Sequence, residues 1–228
     1  MQPAFSAILG ELRELQQSDL TFQTFGSKEH KFQTHSVLAE GTVSDFEELH
    51  RVRLPLEYRG FLLSIGNGGA GPYHGVFKLG EIDDGFNYKA WRENDGFVGV
   101  LSEPFAHTRP WNDLSGMPAF DDSRAGDGEW EDEYWRRWDA WDACYWSSAN
   151  VNGAIPIGHH GCAIRDWLIV TGPEAGNVWT DSRSDLRGLF PAQQQDKGRV
   201  TFLQWYRSWL HDALRAVRDG SASPGYRN

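Results

Sequence analysis

The stretch 202–217 constrains this chain most. Phe202, Trp205, Tyr206, Trp209, Leu210, Ala213, Leu214 and Val217 recur with the 3.6-residue helical period, through about five turns. A helix with so wide an apolar face must be covered by a second layer. The sequence supplies candidates for that layer. In 161–170, Cys162, Ile164, Leu168 and Val170 share one parity, and Ala163, Trp167 and Ile169 the other. Apolar groups on both faces predict a central strand. A strand is expected before it over 153–157. Another is expected over 177–180, after the turn at Gly172 and Pro173.

The N-terminal half reads as helical. In 54–65, Pro55 suits a first helical turn, and Tyr58, Phe61, Leu62 and Ile65 make one buried face. Gly66, Asn67, Gly68 and Gly69 stop that helix, because they tolerate left-handed backbone angles. Residues 4–16 predict a helix with Ile8, Leu12 and Leu15 on one stripe. Ser44 and Glu47 have capping-box spacing ahead of a short helix carrying Phe46, Leu49 and Val52. Segments 20–25 and 30–38 read as extended or irregular lead-in, and 76–79 as the first well-defined strand. The whole predicts an α+β fold. It would be one domain over 1–228, with a core at about 40–218, an elaboration at 81–142 and a frayed tail from 219.

Composition narrows the function. Thirty-two acidic residues against twenty-two basic ones give a net charge of −10. Such a surface repels nucleic-acid phosphates and anionic lipids and attracts basic proteins. No basic stripe or zinc-finger spacing supports nucleic-acid binding. No run approaches the roughly 18 continuous apolar residues of a membrane span, and Met1, Gln2, Pro3 and Ala4 do not begin a secretory signal. The two cysteines, Cys144 and Cys162, are expected to be buried and reduced, so the chain is expected in the cytoplasm.

The elaboration carries the distinctive chemistry. Asp121, Asp122, Asp127, Glu129, Glu131, Asp132 and Glu133 face only Arg124 among basic residues of 121–133. Tryptophans 111, 130, 135, 138 and 141 punctuate the same region, and a helix is expected over 129–141, with Trp130, Tyr134, Trp138 and Trp141 at its spacing. A plain solvated surface is the simplest reading. Recognition of a cationic partner is the sharper one, with long-range attraction joined to aromatic anchors. On that reading the partner-binding surface comprises Trp111, Asp121, Asp122, Asp127, Glu129, Trp130, Glu131, Asp132, Glu133 and Trp135. An enzymatic carboxylate pair is the third reading, and it requires two acids held in unlike environments.

Other motifs carry less. Gly66 to Gly71 lacks the phosphate-loop pattern and follows a helix rather than a strand. Adjacent His159 and His160 point to opposite faces of a strand. Cys162 shares parity with His160, but the neighbouring sequence does not complete a four-ligand zinc site. There is no GxSxG elbow. No catalytic, cofactor-binding or metal-binding residue is therefore assigned, and no cofactor is expected.

Leu54, Pro55, Leu56, Glu57, Tyr58, Arg59, Gly60, Phe61 and Leu62, followed by Gly66, Asn67, Gly68 and Gly69, resemble the opening of the yeast cell-wall-regulator (Smi1/Knr4-like) family, within the SUKH superfamily of immunity-type proteins. Later pieces are similar in order: 153–158, Gly161 and Cys162, 167–172, 176–179, and 202–205 with the helix behind. The resemblance covers roughly 40–80 and 145–215, and leaves 81–142 outside it. It implies a mostly antiparallel curved sheet packed by helices and a protein-binding role without catalysis. That role would be an immunity protein that neutralises a cognate bacterial toxin, such as a basic nuclease, or a regulatory scaffold for an endogenous protein. An enzyme with an unrecognised carboxylate site ranks below both.

Overall fold

The computed structural model describes residues 3–83, 87–192 and 198–220, with side chains from residue 5 onward. Four helices come first: α1 (Pro3–Ser18), the single turn α2 (Ser27–His30), α3 (Glu40–His50) and α4 (Leu56–Ser64). A small hairpin, β1 (Glu81–Asp83) with β2 (Tyr88–Ala90), precedes the long helix α5 (Gly128–Tyr145). Strands β3 (Ala154–Gly161), β4 (Ile164–Ile169), β5 (Val178–Ser182) and β6 (Gly188–Pro191) follow, and α6 (Phe202–Arg218) closes the fold.

The four later strands form an antiparallel meander in sequence order, with β4 buried along its whole length. That agrees with the two-faced apolar pattern of 161–170. The strand is shorter than the pattern suggested, because Cys162 and Ala163 form the hairpin turn at φ 49° and 64°. The single curved sheet is corrected. Among the described residues there are two antiparallel sheets, and neither is closed or strongly curled. Four short strands accumulate limited twist, and 76–79 does not extend the sheet. Val76 meets Gly69 and Gly158 through isolated bridges, leaving β1 and β2 to pair separately.

Helix α6 is the keystone. Thr201 and Gln204 form a capping box at its start, worth about 1 kcal/mol. Its Phe202 ring packs on Tyr58 and Phe61 of α4, at centroid separations of 4.9 and 5.2 Å. The Tyr206 hydroxyl donates to the Ala70 carbonyl at 2.9 Å, and the Trp205 indole donates to Asp166 of β4 at 3.0 Å. Helix α1 packs along α6 and buries Phe5, Ile8, Leu12 and Leu15. Gly60 makes that layer possible, since a Cβ there would lie 2.5 Å from the Phe5 ring.

Two helix starts differ from the sequence reading. Pro55 is the N-cap of α4 rather than part of its first turn. Helix α3 begins at Glu40, so Ser44 lies inside it and caps nothing. Glu47 is instead buried. It accepts the Leu54 N–H at 2.9 Å and pairs with Arg53 and Arg59. Leu49, expected on the buried face, is 76% exposed. The glycine stop behaves as expected: Gly68 and Gly69 take φ 79° and 101°, and a Cβ on either would meet backbone atoms at 2.6 Å or less.

Candidate protein-binding ridge

Helix α5 forms because its ends are well specified. The Asp127 carboxylate caps the Trp130 N–H at 3.2 Å, and Glu129 and Glu131 place negative charge on the first turn. At the other end the buried Arg183 guanidinium donates to the Tyr145 carbonyl at 3.0 Å. Arg183 is itself gripped by Asp181 of β5, at 2.9 and 2.7 Å, and lies 4.9 Å from the Trp146 ring. A cation at a helix C-terminus is stabilised by the negative end of the helix dipole, and here it also fastens the helix to the sheet.

The rest of α5 contributes no residue to the main hydrophobic core. Among the described residues it belongs to none of the helix and strand pairs in extensive contact. Its own aromatic rail and one loop support it instead. Ring contacts run from Phe120 through Trp130, Tyr134, Trp138, Trp141 and Tyr145 to Trp111, with successive centroids 4.9–6.1 Å apart. Offset and edge-on pairs of this kind each contribute about 0.5–1.5 kcal/mol. Tyr134, Trp141 and Tyr145 are buried by the rail, whereas Phe120 is 43% and Trp135 51% exposed.

The structure separates the ten residues expected at this surface. Trp111 is half-buried; its backbone pairs with Leu189 and its ring stacks on Tyr145, so it joins α5 to the sheet edge. Asp121, Asp122, Asp127, Glu129, Asp132 and Glu133 are exposed, and Trp130 and Glu131 are half-buried. Asp122, Glu129 and Asp132 make no ion pair among the described residues. Glu131 accepts the Gly126 N–H at 2.7 Å. Hydrogen bonds from Ser123 hold the Asp121 carboxyl below the usual range. Arg124 does the same for Asp127, and Arg136 for Glu133. These three acids stay ionised and lack the raised pKa that a general acid needs.

A second cluster escaped the sequence reading. His159 and His160 do part to opposite sides of β3. His160 donates its Nε2–H to the buried Asp166 carboxylate at 2.8 Å and stacks on Tyr73 at 3.6 Å. His159 stacks on His74 at 4.5 Å, and His74 Nδ1 lies 2.6 Å from Glu29 of α2. Glu29 and His74 border a cavity of about 600 Å³ lined also by His30, Phe77, Lys78 and Tyr88. Burial, with His74 nearby, lowers the pKa of His159 and pushes that of His30 down to about 4. Cys162 sits on the exposed hairpin turn and Cys144 on exposed α5; both are free thiols, not the buried pair expected. Comparison with known proteins finds no matching family model, no matching curated protein and no matching solved structure. Among the described residues, no helix is long and apolar enough to cross a membrane.

Proposed function

We propose that the protein acts without catalysis, as a regulatory scaffold that holds a basic partner protein against the α5 ridge. The observation that carries this reading is Trp135. It is a large aromatic left half exposed on a helix whose surrounding carboxylates are solvated and charged. Interfaces draw most of their energy from such aromatic anchors, and charge on the rim speeds encounter with a partner of opposite sign. The chain's net charge of −10 favours a lysine- and arginine-rich surface. The free thiols support a reducing, cytoplasmic setting.

The test is capture of partners from growing source cells by wild type, by Trp135→Ala and by the triple change Asp122→Asn, Glu129→Gln, Asp132→Asn. A specific partner is expected with wild type. Its affinity should fall roughly 30-fold with Trp135→Ala, the loss of one strong anchor. The triple variant should slow association and flatten the salt dependence. Equal retention by all three proteins would remove the ridge from the interaction.

The immunity reading is the special case in which the basic partner is a toxin, such as a nuclease. It is supported by the ordered resemblance of 54–69, 153–158, 167–172 and 176–179 to immunity-type proteins. Co-expression with the neighbouring gene product separates the two readings. Relief of toxicity favours immunity, whereas a partner recovered with no toxin gene present favours the scaffold.

A further inference from the structure

We propose that Glu29, His74 and His159 form a binding site for a divalent transition-metal ion of the zinc type. The fold brings them together from α2, from the loop after Gly71 and from β3. One ligand atom from each lies within 4.8 Å of the other two. Asp83, at the end of β1, stands 3.5 Å from His159 Nδ1. It supplies a fourth donor, an oxygen, or the outer hydrogen bond that fixes the imidazole. Register shifts in β3 fall between Pro156 and Gly158 and between His159 and Gly161. Bulges of that kind re-aim side chains near functional sites.

The donor chemistry selects the ion. Two imidazoles with one or two carboxylates suit zinc and its neighbours, whereas calcium and magnesium take oxygen ligands. With Asp83 as the fourth ligand, the two carboxylates balance a divalent cation. In a tetrahedral zinc site with bonds of about 2.0–2.1 Å, ligand atoms stand about 3.3 Å apart. The present spacing exceeds that by at most about 1.5 Å. Rotation about the broad imidazole χ2 torsion, with movement of the 54% exposed Glu29 side chain, closes the gap. The rings are now parallel within 13°, so ligation must turn at least one of them out of the stack. A second feature marks the same cavity: the buried Nε2 of His30, which lines it, has no hydrogen-bond partner among the described residues. The site is independent of the α5 ridge.

The experiment is calorimetric titration of tag-free, chelator-treated full chain with zinc chloride, paired with cobalt(II) absorption as a report of tetrahedral geometry. One equivalent is expected, with a raised melting temperature. His74→Ala and Glu29→Gln should each weaken zinc at least ~10-fold, while Cys144→Ser with Cys162→Ser leaves affinity unchanged. Glu29→Gln tests an exposed side chain, so it keeps the result readable should His74→Ala perturb folding. Absence of stoichiometric zinc, or equal affinity in Glu29→Gln, would overturn the site.

Discussion

At the residue scale, the price of packing so many aromatics falls on their polar atoms. Trp179 and Trp205 give their indole N–H to Glu174 and Asp166. Trp91, Trp141, Trp167 and Trp209 have buried indole nitrogens with no such partner among the described residues. His30 shows the same tension in titratable form. Its unfolded pKa is about 6.5, and burial, then His74, bring it to about 4 in the fold. Between those values the unfolded chain takes up a proton that the folded chain refuses. Stability is therefore full above pH ~6.5 and is lost as pH falls toward ~4, by on the order of 3 kcal/mol. Urea unfolding of metal-free protein across this window should show that slope, and His30→Gln should flatten it. A wild-type midpoint independent of pH would contradict the assignment.

At the element scale, legibility followed how many faces an element buries. Helix α6 has one broad apolar face and a capping box, and α4 a compact one ended by glycines, so period alone located both. Strand β4 is buried on two faces and showed it in both parities. Helix α3 misled because Glu47, apparently a capping residue, is a buried acceptor for Leu54, Arg53 and Arg59. Those partners lie beyond the helix, where periodicity carries no information. The span of α5 was legible from its aromatics, but its attachment was not, since that depends on Arg183 and Asp181, 36 or more residues away from Tyr145. Arg183→Met leaves Asp181 buried without its cation, and should cost about 3–5 kcal/mol in chemical denaturation. It should also loosen the C-terminal end of α5. An unchanged midpoint would mean that the helix is held by its aromatic rail alone.

At the scale of the whole molecule, the α+β class was visible in the sequence and the division into two open sheets was not. The division depends on 76–79 meeting its neighbours only by isolated bridges. The His74 and His159 pair was equally hidden, because only the fold brings α2, the loop after Gly71 and β3 together. The acidic, tryptophan-rich segment was conspicuous from composition, yet the structure divides its labour: Trp111 and Trp141 hold α5, while Trp135 is left outward. That division makes α5 the proposed docking face. Hydrogen exchange on the complex with the captured partner measures this most directly. The account predicts that binding slows exchange across 120–141, and that Trp135→Ala abolishes the effect while leaving the free protein's pattern unchanged. Protection confined to other surfaces, with 120–141 exchanging as in the free protein, would contradict it.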